Sequence, residues 1–166
     1  MQRSNVDSVV RFGLAAILIL VGFVPGGSAQ SSSRFGTWKL DTTRSASSAS
    51  GPKSLVRTDE PAGNGVKVTY EGVAADGSRI AYSYTAQYDG KEYRSSGVGM
   101  AFGWETIALR RIDDHTTEAT LRRGGKVVSI ARNVVSPDGK TMTVTSKFDE
   151  SGQPTRVSTS IWVRQP

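Results

Sequence analysis

Alternation of apolar and polar positions dominates most of the chain. Val66, Val68 and Tyr70 alternate with Lys67, Thr69 and Glu71, and Ala75-Asp76-Gly77 then breaks the run. Ile80, Tyr82, Tyr84 and Tyr88 resume the same period against Arg79, Ser83 and Gln87, up to Asp89-Gly90. Ile107 and Leu109 lead to Asp113-Asp114, Ala119 and Leu121 to Gly124-Gly125, and Val128, Ile130 and Val134 to Pro137-Asp138-Gly139. Met142 and Val144 precede Ser151-Gly152, and a last run spans about Thr155 to Val163. A period of two puts the apolar set on one face of a strand. Asp-Gly and Gly-Gly between such runs supply the positive backbone angles of tight hairpins.

These runs are rich in Val, Ile, Thr and Tyr, the residues that suit a pleated, half-buried surface. No window after residue 30 carries apolar residues at helical spacing over three turns. The pattern predicts an all-β fold: an up-and-down antiparallel meander of about 8–10 strands, closed into a barrel because closure removes exposed edges. Thr42 to Ser54 (TTRSASSASGPKS) has no apolar face and reads as a mobile loop.

The N-terminus breaks the alternation. Arg3 and Arg11 flank a polar start, Gly13 to Val24 form a continuous apolar stretch of 12 residues, and Pro25-Gly26-Gly27-Ser28-Ala29 follows. As a helix that stretch spans about 18 Å, well short of a hydrocarbon core of roughly 30 Å. Small residues stand at the −3 and −1 positions if cleavage follows Ala29, so residues 1–29 are expected to be a cleaved signal peptide. Residues 30–34 then form a Ser-rich linker and residues 35–166 one domain. The expected location is the periplasm or the extracellular medium. The chain contains no Cys, which excludes disulfides, thiolate nucleophiles and Cys-ligated metals and leaves stability to the core.

Charge changes this picture little. The 166 residues carry a net +6. Without Arg3, Arg11 and Asp7 there remain 19 basic and 14 acidic residues, and only Arg110-Arg111 and Arg122-Arg123 are adjacent basic pairs. A nucleic-acid binder needs basic residues clustered on one face, so none is expected as a partner. Mild basicity of this kind suits solubility and weak attraction to anionic surfaces.

Gly36-Thr37-Trp38-Lys39-Leu40 opens the first strand, and a G-x-W at this place ahead of an antiparallel meander resembles the calycin group of lipocalins and fatty-acid-binding proteins. The chain most resembles small secreted bacterial proteins described as lipocalin-like, through GVKVTYEGVAADG, YDGKEY, RIDD, GGKVVS and DGKTMTVT, over most of residues 35–164. The resemblance implies an eight- to ten-stranded barrel around a cavity for an apolar or amphipathic small molecule. It also implies that Gly36 and Trp38 close one end, with Trp38 packed on a late basic residue, Arg164 or Arg156. The polar segment after the first strand departs from the helical lid of fatty-acid-binding proteins.

Several residues are candidates for ligand contact. Tyr70, Tyr82, Tyr84 and Tyr88 fall in phase with the apolar positions, where a tyrosine offers both a ring and a hydroxyl; they equally suit an ordinary half-buried sheet. Arg132 shares a phase with Val128, Ile130 and Val134, so it is expected to point inward. An inward charge needs a partner, and a ligand carboxylate held by two parallel hydrogen bonds would supply one. Arg111 is in phase with Ile107 and Leu109 but close enough to a turn to reach water. Met100, Phe102 and Trp104 stand between glycines in VGMAFGW, as a portal flap, a contact surface or plain core. His115, the single histidine, has no second His or Cys to share a metal, and no cofactor is expected. The serines before Gly51 lack triad partners. The sequence therefore supports a non-enzymatic exported barrel that binds a small apolar or amphipathic molecule, an anionic one if Arg132 meets it. The alternative is a solid-cored module that works through its surface. A connected interior space of about 300 Å³ or more would favour the first.

Overall fold

The computed structural model describes residues 33–46, 51–100, 103–149 and 155–166. These residues form ten strands: β1 Gly36–Ala46, β2 Ser54–Ala62, β3 Gly65–Val73, β4 Arg79–Gln87, β5 Asp89–Val98, β6 Thr106–Arg111, β7 Thr116–Arg123, β8 Lys126–Val135, β9 Thr141–Phe148 and β10 Arg156–Arg164. Each pairs antiparallel with its sequence neighbour, and β1 pairs with β10, so the sheet is a closed up-and-down barrel. A ten-strand antiparallel barrel is consistent with a calycin-like fold. The expected signal peptide, residues 1–29, lies outside the described residues, as do the serines at 47, 48 and 50 and the Ser151-Gly152 turn.

The turns fall where Gly and Asp place them. Gly77, Gly124, Gly125 and Gly139 all have positive φ. Asp76, Asp113 and Asp138 each cap their turn by accepting a backbone N–H two residues on. Side-chain hydrogen bonds from Ser78 and Ser136, and then these backbone bonds, hold Asp76 and Asp138 below their ordinary range, and the backbone bond from His115 does the same for Asp113.

Two sequence expectations are corrected. Thr42 to Ala46 belong to β1 and are not loop. The strand survives an irregularity after Asp41 because side chains replace ladder bonds. Asp41 Oδ1 accepts from the Thr43 hydroxyl at 2.6 Å and from two backbone amides, and Ser45 Oγ accepts from Ile161 N at 3.0 Å.

The second correction concerns β8. Arg122 pairs with Val127 but Leu121 with Ser129, so Val128 is an extra residue in a β-bulge. A bulge shifts alternation by one, and a one-residue shift moves every later side chain to the other face. Ser129, Ala131, Asn133 and Val135 are therefore buried, whereas Ile130 and Val134 are 41 % and 38 % exposed. Arg132, expected inside, lies on the exposed face, opposite Glu118 of β7.

Candidate functional site

At one end of the barrel lie the start of β1, the end of β10, and the β2–β3, β4–β5, β6–β7 and β8–β9 turns. The G-x-W segment closes this end. Trp38 is fully buried and donates its indole N–H to Arg34 O at 3.0 Å. Arg164, its cross-strand partner, lies 4.3 Å from the indole centroid. The same guanidinium donates to Gly139 O at 2.5 Å, to Phe35 O at 2.7 Å and to Ser33 O. Gly36 is required twice over: its φ is +134°, and a Cβ there would stand 2.5 Å from Arg164 Nη1. Leu40, Val135, Met142 and Trp162 complete the plug around Trp38. Of the two candidate partners for Trp38, Arg164 takes the place, and Arg156 pairs with Phe148 of β9 instead. Arg34, read from sequence as the last linker residue, is 4 % exposed. Its Nη2 donates to Asp114 O at 3.3 Å.

Beyond this plug a cavity of about 160 Å³ extends towards the opposite end. One wall is aromatic. Tyr70 of β3 and Tyr82 of β4 are cross-strand partners and stack with centroids 4.6 Å apart. Trp104 meets Tyr82 and Tyr84 edge-on at 5.8 and 5.9 Å. On β7, β8 and β9 the lining mixes the small Ala119, Ser129, Ala131 and Ser146 with the larger Leu121, Val128, Val144 and Phe148. The alanines and serines among these larger side chains leave space that close packing would otherwise remove.

The floor of the cavity is polar. Arg57 of β2 and Asp59, two residues on, share an inward face and form a buried two-point ion pair, Nε to Oδ1 at 2.6 Å and Nη2 to Oδ2 at 2.8 Å. Arg57 Nη1 also donates to Asn133 Oδ1 at 3.2 Å, and its guanidinium lies 5.6 Å from the Tyr70 centroid. Burial opposes the charge on Arg57, but Asp59, Tyr70 and Tyr84 together outweigh it and push the guanidinium well above its ordinary value. Burial likewise pushes the phenols of Tyr70, Tyr82 and Tyr84 upward, Tyr82 and Tyr84 well above their ordinary value. Three of the five guanidinium N–H groups make these bonds, and Tyr70 is a further hydrogen-bond partner of Arg57. The site therefore offers aromatic faces, hydroxyls and a donor floor with no net charge from its ion pair.

Of the sequence candidates, the structure brings Tyr70, Tyr82, Tyr84 and Trp104 to one cavity. Met100 packs half-buried against the same core, and Phe102 lies outside the described residues. Arg111 stands at the plugged end, 5.1 Å from the Tyr88 centroid, away from the cavity. Arg132 is outside the barrel. The residues missed by sequence reasoning are Arg57, Asp59 and Asn133. The legible signal was Arg-x-Asp within a strand, since residues i and i+2 share a face and opposite charges can enter together. Comparison of the chain with protein-family models and with curated proteins finds no match.

Proposed function

We propose that this chain is an exported, non-enzymatic barrel that binds a small amphipathic aromatic molecule in the cavity above Arg57. The observation that carries the reading is the pairing of an aromatic wall with facing alanines and serines over a charge-neutral donor floor. The volume sets the size of the ligand: a cavity of about 150 Å³ accommodates benzene, so a single substituted ring fits and a long acyl chain does not. With Arg132 outside and Arg57 already paired to Asp59, a neutral ligand with one hydrogen-bond acceptor suits the floor better than a carboxylate. Among the described residues lining the cavity, the titratable groups are Arg57, Tyr70, Tyr82 and Tyr84, all shifted upward and so away from neutral pH, which supports a binding role over acid–base catalysis. The apolar stretch Gly13–Val24 followed by small residues supports export.

A second reading, a module acting through its surface, is favoured by the volume itself, which is about half the lower limit for typical ligand pockets. Titration of the purified chain with p-cresol, toluene and benzoate, followed by tryptophan fluorescence and by NMR, separates the two. A neutral ring of eight heavy atoms at roughly −0.6 kcal/mol each gives a Kd of about 0.3 mM. The expected order is p-cresol tightest, toluene weaker and benzoate weakest. Ala131→Leu, which fills the cavity, should abolish binding while the fold persists. Failure of all three rings to bind the folded wild type would leave the surface reading. Intact mass of exported material should show a start at Gln30, and retention of residues 1–29 would remove the export claim.

A further inference from the structure

We propose that the plugged end of the barrel holds a single monatomic anion, of the halide class, on the buried guanidinium of Arg34. This site is separate from the aromatic cavity and does not depend on its ligand. A second cavity of about 10 Å³ lies on the plug side of the Arg57–Asn133 floor, lined by Arg34, Arg57, Asp59, Thr117, Asn133 and Tyr88 among others. Arg34 Nε is buried and has no hydrogen-bond partner, and among the described residues no other buried side-chain nitrogen or oxygen is so left. A buried N–H without an acceptor costs about 1–3 kcal/mol, more on a charged group, so an occupant that accepts a hydrogen bond is expected.

Charge selects the occupant. Arg57 is neutralised by Asp59, but Arg34 lies in no ion pair with a described carboxylate; its hydrogen bonds to the Asp114 carbonyl and the Tyr88 hydroxyl bring no charge. The guanidinium carbons of Arg34 and Arg111 lie 5.6 and 5.1 Å from the Tyr88 centroid, so two cations meet one aromatic ring. Burial, and then the neighbouring Arg111 and Arg57, work against the Arg34 charge, with Tyr88 partly offsetting them. Arginine does not shed its proton to relieve such stress. A monovalent anion would relieve it and supply the acceptor that Nε lacks.

Size sets the rest. Some 10 Å³ admits one water-sized occupant, which leaves no room for a carboxylate or phosphate but accepts a single halide. Hydroxyls at Thr117 and Tyr88 line the same space and can donate to it.

The test is a crystal of the chain grown or soaked in sodium bromide, with data collected at the bromine edge. An anomalous peak beside Arg34 Nε is expected. In solution, chloride or bromide should raise Tm saturably by about 3–6 °C at fixed ionic strength, with gluconate as the bulky balancing anion. Arg34→Met should lose that halide dependence while Arg34→Lys retains part of it. Should Arg34→Met not fold, the anomalous map and the halide-against-gluconate comparison on wild type still decide. A cavity that holds water without anomalous signal, or equal stabilisation by gluconate, overturns the proposal.

Discussion

The two halves of the barrel are packed by different rules. Around Trp38 the interior is filled by large side chains, and a guanidinium is fixed over the indole by three backbone carbonyls. Beyond the Arg57–Asp59 pair the same ten strands enclose space, where alanines and serines interrupt the larger side chains of β7, β8 and β9 opposite the tyrosines of β3 and β4. Barrel closure alone thus decides neither a solid nor a hollow interior. Side-chain volume, distributed unequally between facing strands, decides it locally. A buried ion pair marks the boundary between the halves. It is neutral as a pair and costly to break from one side.

The contrast is most sharply broken at Trp38. Trp38→Ala removes a fully buried indole from the filled half and should cost about 3–5 kcal/mol by denaturant unfolding. Trp104→Ala should cost at least about 1 kcal/mol less, because one side of its ring borders the cavity. A loss below about 1 kcal/mol at Trp38 would remove its closing role, and equal losses at both sites would erase the difference between the halves.

Alkaline titration probes the aromatic wall. Burial raises the folded-state values of Tyr70, Tyr82 and Tyr84 above the unfolded value near 10. The folded state then holds protons that the unfolded state releases. Their contribution is fully present below about pH 10 and is lost as pH rises from there towards the folded-state values. Tyrosinate absorbance from these three residues should appear together with loss of near-ultraviolet circular dichroism. Their ionisation before unfolding would mean that water enters the wall freely.

The smallest effect is expected on the outer face. Arg132→Met should change stability by less than about 0.5 kcal/mol and leave p-cresol affinity unaltered, as for an exposed side chain. A marked loss of ligand affinity in this variant would place Arg132 at the site after all.

Local sequence determined the class of fold and one end of it. Alternation and Asp-Gly or Gly-Gly turns specify strands and hairpins through the chain's own geometry, and Gly36 and Trp38 carry the closure in adjacent residues. The sequence also named four of the cavity's aromatic residues, because Tyr70, Tyr82 and Tyr84 keep one phase through unbroken stretches of β3 and β4 and Trp104 follows in a short apolar run. Tertiary structure decided the phase of β8, where Val128 is an extra residue only in relation to its partner strand β7. Valine and isoleucine at 128, 130 and 134 looked like one inward face, yet a bulge divides them. It also decided where buried charge sits. Arg57 and Asp59 enter the barrel because they neutralise each other and meet Asn133, 76 residues further on, a contact that no local pattern contains. Hydrophobic periodicity reports which face a strand offers; only pairing with a neighbour fixes which way that face turns.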